Sequence, residues 1–229
     1  MTTDDGFARR VTRLGVLADP VRRALYRFVV GQPDAVSRDQ AAEGVDVPRH
    51  TAKFHLDRLA EEGLLVTEFR RLTGRTGPGA GRPAKLYRRS RHEVSVSLPG
   101  RRYDLVGQVL ADAVERALDG QGMTEALDAA ADLAARVVME EADTDQEPEG
   151  LAAVAKVLGA YGYEPRFEDD ALVLGNCPYD RLASDHRTVV CGLNHRFVAG
   201  VGERLGCPGA VPVDPDTDGC CVRVDRDAP

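Results

Sequence analysis

Five cysteines lie between residues 177 and 221, and the 176 residues before them contain none. Core filling would scatter cysteines along the chain, so the grouping of Cys177, Cys191, Cys207, Cys220 and Cys221 points to a shared site. The 13, 15 and 12 residues that separate the first four are not the paired CxxC of a zinc finger. Cys177 and Cys207 are each followed by proline, an arrangement also found at iron–sulfur sites. Cys191 and His195 stand four apart in an expected helix and share one face. His195 or Cys207 can therefore complete a three-cysteine site. As nucleophile and base, Cys191 and His195 would need an oxyanion or phosphate-binding loop; no such motif accompanies them, so an enzyme is not expected.

A second set of reactive groups is cationic. From Pro48 onward, a helix of 100° per residue puts Ala52, Leu56, Leu59 and Ala60 on one side and His50, Lys53, Phe54, Asp57 and Arg58 on or near the other. Arg49, His50, Thr51 and Lys53 at its start, with Phe54 and Arg58, form a surface able to meet base edges, a thymine methyl and phosphates in a major groove. Residues 66 to 91 then hold eight Lys or Arg against one acid, Glu68. Arg75, Arg82 and Lys85 in that stretch are expected phosphate contacts. Charge is divided along the chain. Residues 1 to 100 carry 18 basic and 12 acidic side chains, whereas residues 101 to 229 carry 12 and 25. A basic half suits nucleic acid, and an acidic half suits dimerisation or signal sensing.

The elements that must position these groups can be read from caps, breakers and periodicity. Ser37 caps a short helix from Arg38 to Glu43, residues 44 to 47 make a turn, and Pro48 opens the reading helix. Leu64 to Arg71 and Lys85 to Arg89 read as two strands of a wing, joined by the glycine-rich loop 73 to 83. Residues 7 to 30 read as two helices packed behind. Pro99-Gly100 breaks the chain, giving an expected DNA-binding domain over 1–98 and a dimerisation and cysteine-rich sensor domain over 99–229. In the second, helices are expected over 101 to 118, 124 to 141, 149 to 161 and 188 to 205. Residues 163 to 175 read as a hairpin, and 211 to 213 and 220 to 224 as short strands. The fold class is α+β. Along the last strand, alternation puts Cys220 with Val222 and Val224 on the inner face and Cys221 with Arg223 on the other, so Cys220 is the expected ligand of the two. Tyr103, Val106, Leu110, Ala113 and Ala117 form an apolar stripe suited either to a homodimer seam or to packing onto its own domain. With no signal peptide or membrane-length apolar run, a cytoplasmic protein with reduced thiols is expected.

Thr51-Ala-Lys-Phe-His-Leu-Asp-Arg-Leu59, Glu62-Gly-Leu-Leu65 and Gly81-Arg-Pro-Ala-Lys-Leu-Tyr-Arg88 resemble the reading helix and wing of ArsR/DeoR-type winged helix-turn-helix repressors. Asn176-Cys-Pro178, Val190-Cys191 and Cys220-Cys-Val222 resemble the SufR-type regulators, so that the resemblance spans nearly the whole chain. It implies a repressor of a double-stranded DNA operator, with a 4Fe-4S cluster held by Cys177, Cys191 and Cys220. Cys207 and the doubled Cys220-Cys221 depart from that pattern. The alternative is the same kind of regulator with structural zinc, a thiol switch or a small-ligand pocket in place of the cluster.

Overall fold

A computed structural model of the chain describes residues 3–71, 83–142, 148–212 and 220–226. The chain divides into two compact units, Met1–Val96 and Ser97–Pro229. Helices and antiparallel sheets occur in both, so the fold class is α+β.

The first unit begins with α1 (Thr3–Gly15), a 3-10 turn and α2 (Pro20–Val30), whose first turn is capped by the Asp19 carboxylate accepting from the Arg22 backbone N–H. Strand β1 (Val36–Ser37) leads into α3 (Arg38–Val45) through a capping box. Ser37 Oγ accepts from the Gln40 N–H at 3.2 Å, and Gln40 Oε1 accepts from the Ser37 N–H at 2.8 Å. Helix α3 runs two residues past the expected Glu43. The turn is instead made by Asp46, in the left-handed region at φ 55°. Gly44 lies inside the helix because the Phe28 ring occupies the space that its Cβ would need. After α4 (Arg49–Glu61) come β2 (Leu65–Arg70) and β3 (Ala84–Arg89), paired antiparallel from Leu65–Arg89 to Arg70–Ala84. Strand β1 joins the outer edge of β3, giving the order β1-β3-β2. Leu25, Val29, Ala52, Leu56, Leu59, Leu65 and Tyr87 form the core.

The second unit packs α5 (Tyr103–Leu118) and α6 (Met123–Glu141) beside a long helix, α9 (Arg187–Arg204). Between them in sequence lie α7 (Leu151–Ala160), the hairpin β4 (Pro165–Glu168) and β5 (Ala171–Leu174), and α8 (Asp180–Asp185), a helix with no sequence expectation. Strands β6 (Ala210–Pro212) and β7 (Val222–Asp225) complete an antiparallel sheet in the order β4-β5-β7-β6. From Phe197 to Gly202 every residue of α9 is buried, as expected for a helix enclosed by α6 on one side and by β6 and β7 on another. Leu158, Tyr163, Leu172 and Val224 form one core with its Phe197 and Val198.

Candidate nucleic-acid interface and cysteine site

Helix α4 buries Ala52, His55, Leu56 and Leu59 against α2 and α3, so its opposite face is solvent-exposed. His50, Lys53, Phe54 and Arg58 are exposed there, Phe54 at 65%, and Thr51 is half-buried. Arg49 is also exposed, but its guanidinium makes two hydrogen bonds to the Asp39 carboxylate on α3. Arg58 pairs with Glu62 at 2.6 Å and with Glu61 at 3.4 Å. These surface pairs are worth little on their own and can exchange for phosphate.

Lys85 has a firmer partner than the phosphate expected from sequence. Its Nζ lies 2.6 Å from Asp57 Oδ1, which also accepts from the Tyr87 hydroxyl at 2.7 Å. Burial works against the Asp57 charge, but the bonds from Lys85 and Tyr87 outweigh it and hold the carboxyl below its ordinary range. Burial, then the bond to Asp57, pushes the Tyr87 hydroxyl up. Asp57, which looks solvated on a helical wheel, thus clamps the wing to the reading helix. Lys85 and Tyr87 are alternate residues of one strand and share a face, which is the only sequence signal for this clamp. Arg75 and Arg82 lie outside the described residues.

In the second unit the end of β5 and the start of β7 converge. The Cys220 N–H donates to the Leu174 carbonyl at 2.9 Å, and Cys177 follows Leu174 by three residues. The sulfurs form a linked run: Cys177 with Cys220, Cys220 with Cys221, and Cys221 with Cys191 in α9. Cys177 and Cys220 are buried, while Cys191 and Cys221 are half-buried. Hydrogen bonding from Cys220 outweighs burial and brings the Cys221 thiol down to about 6, and the Cys177 thiol is lowered in the same way. The bonds to Cys177 and Cys221, with burial, push Cys220 up. Burial and then Cys221 push Cys191 up to about 12.

Cys221 is therefore in the sulfur group, contrary to the expectation that it points away. Strand β7 begins only at Val222, so strict alternation does not reach back to the two cysteines. Asn194 confirms their common side: its Nδ2 lies 3.1 Å from Cys220 Sγ and 3.6 Å from Cys221 Sγ. The two expected candidates for a fourth position are placed elsewhere. Cys207 packs its sulfur beside Gly150, and His195 Nε2 donates to the Ala210 carbonyl at 3.1 Å. Among the described residues no three or more His, Cys, Asp or Glu side chains are set to hold a single metal ion.

The loop that carries Cys177 is also bonded to the first residues of its own unit. The Arg102 N–H donates to the Pro178 carbonyl at 3.0 Å, and the Arg101 guanidinium reaches the Cys177 carbonyl at 3.2 Å and the Asn176 side chain. Asn176 Nδ2 donates to the carbonyls of Gly100 and Gly162. The two glycines meet closely: a Cβ on Gly100 would stand 2.9 Å from Gly162 Cα, and Gly162 has φ 88°.

No curated protein and no solved structure matches the chain. No helix among the described residues is long and apolar enough to cross a membrane. Residues 17–68, from the 3-10 turn through most of β2, match the family described as helix-turn-helix domain, which points to a DNA-binding regulator of transcription rather than to an enzyme.

Proposed function

We propose that the chain is a homodimeric transcriptional repressor whose cysteine site controls operator binding through a 4Fe-4S cluster. The observation that carries the reading is the run of four thiols from three separate segments, the loop after β5, helix α9 and the residues just before β7, in a chain whose other unit bears a helix-turn-helix and wing. Four soft sulfur donors, which become thiolates on binding metal, suit iron and sulfide. Cys177, Cys191, Cys220 and Cys221 would hold the cluster, which supplies redox and oxidant sensitivity.

His50, Lys53 and Phe54 would meet the major groove, with Arg49 and Arg58 trading their carboxylates for phosphates. Two-fold operators call for a two-fold protein; of the stripe expected from sequence, Val106 and Ala113 are buried in their own core and Leu110 and Ala117 pack against it, so the seam would instead use the exposed Tyr103, Val114, Leu118 and Met123 of α5 and α6. The bonds from Arg101 and Arg102 to the Cys177 loop give the site a hold on the segment that follows the DNA-binding unit. The experiment is iron and acid-labile sulfide analysis of anaerobically prepared protein, followed by operator selection from random duplexes with the loaded and stripped forms. Iron and sulfide bound together, with a difference in operator affinity between the two forms, support the reading; stoichiometric zinc without sulfide overturns it.

The contact between the Cys191 and Cys221 thiols favours one second reading, a dithiol switch. A hydroperoxide would take two electrons from the pair, forming the disulfide with release of water and an alcohol. Peptide mapping after peroxide treatment distinguishes it by a Cys191–Cys221 cross-link.

A further inference from the structure

Asn194 is a polar side chain that no part of the DNA-binding reading uses. It is 0% exposed, on a stretch of α9 whose neighbouring buried residues are the apolar Val190, Leu193, Phe197 and Val198. Burying an amide in such a place is costly unless every polar atom is satisfied. Here the partners are specific. The Tyr163 hydroxyl, itself buried, donates to Asn194 Oδ1 at 2.6 Å and lies 3.5 Å from the Tyr179 hydroxyl. With its oxygen held by Tyr163, the amide can present only its NH2 group to the sulfurs, and it does so to Cys220 and Cys221 together. Cys191 stands three residues earlier on the same helix, so one face of α9 offers both a thiol and the amide.

We propose that Asn194, oriented by Tyr163, is a positioning residue of the cysteine site, holding Cys220 and Cys221 through N–H···S bonds and tuning the reduction potential of the group they ligate. This rests on the reading of those cysteines as ligands. A neutral thiol is a weak acceptor, whereas a thiolate or metal-bound sulfur receives a charge-assisted bond. The amide is thus matched to the anionic form. Each hydrogen of the NH2 serves one sulfur, which accounts for the adjacent cysteines lying on one side although a strand would separate them. Hydrogen bonds to the sulfurs of an iron–sulfur site favour its more negative, reduced state and raise its potential.

The test uses the full chain, loaded anaerobically with iron and sulfide, as parent and as Asn194→Asp and Tyr163→Phe variants. Asn194→Asp keeps the shape but replaces the donor by a carboxylate; Tyr163→Phe keeps the amide and removes what orients it. The expected result is a lower midpoint potential in Asn194→Asp, by at least the tenfold change in redox ratio that corresponds to 59 mV for one electron. Tyr163→Phe should move it less and in the same direction. A residue that only fills space would alter stability and leave the potential in place, so an unmoved potential in both variants overturns the proposal. If Asn194→Asp does not fold, Tyr163→Phe decides alone. A parent chain that takes up no iron or sulfide sinks the iron–sulfur reading itself. The same variants are then read with cobalt(II), whose thiolate-to-metal absorption should shift to longer wavelength when N–H···S bonds are lost. An unmoved band, or no thiolate band in the parent, overturns the role of Asn194.

Discussion

At the scale of single residues, the doubled cysteine is where sequence and structure part. The grouping of all five cysteines in the last quarter of the chain is visible without coordinates, and three of the four joined sulfurs follow from the resemblance. The fourth does not, because strand alternation separates neighbours only where a strand exists, and β7 starts one residue after Cys221. Cys221→Ser should therefore reduce iron and sulfide content as severely as serine at Cys177, Cys191 or Cys220, whereas Cys207→Ser should leave it near the parent level. Metal and sulfide analysis of the five variants checks this, and full occupancy in Cys221→Ser would return the fourth position to Cys207 or His195. On the DNA side, Arg49→Ala, His50→Ala and Lys53→Ala should each weaken operator binding at fixed salt without loss of fold. Leu59→Ala, at a fully buried position, should instead destabilise the first unit by about 2 to 5 kcal/mol. Unchanged operator affinity across the three polar variants would remove α4 from the interface.

At the scale of elements, caps and breakers locate helices well because their chemistry is local. Ser37 with Gln40, Asp19 before Pro20 and Pro48 before α4 all act within a few residues. Long-range partners leave no such trace. Strand β1 is two residues long and exists because β3 offers it an edge, and Gly44 is needed for a ring that lies 16 residues earlier in the chain. The Asp57 clamp is of the same kind, since its partners stand 28 and 30 residues away. Removing it by Asp57→Ala leaves the Tyr87 hydroxyl and Lys85 without their acceptor, at a cost of about 1 to 3 kcal/mol. It should also loosen the wing, so hydrogen exchange in β3 should rise even if α4 stays protected. Because the folded-state pKa of Asp57 lies below its unfolded value of about 3.9, its contribution is complete above that value and fades as the pH falls through the lower, folded one. An acid denaturation midpoint equal in parent and Asp57→Asn would show that the clamp adds nothing.

At the scale of the whole molecule, the chain joins a basic half, which suits nucleic acid, to an acidic half, and the repressor proposed above requires the second to act on the first. The segment from Gly100 to Arg102 is the place to intervene. It is bonded to the Cys177 loop by backbone and side chain, and Arg101 touches the Cys177 carbonyl while leaving the sulfur to the other thiols. Arg101→Ala should therefore keep iron and sulfide content, because no donor to the site is lost. What it should lose is coupling, which is a difference between two affinities and vanishes when the site no longer biases the segment. Operator affinity measured by fluorescence anisotropy on loaded and stripped protein gives that difference directly. In the parent the two affinities should differ by about 5- to 150-fold, the usual span of such couplings. In Arg101→Ala they should approach each other, and Asn176→Ala should act in the same direction because Asn176 ties Gly100 to Gly162. An Arg101→Ala protein that keeps both its cluster and the full difference would mean that the signal leaves the cysteine site by another route.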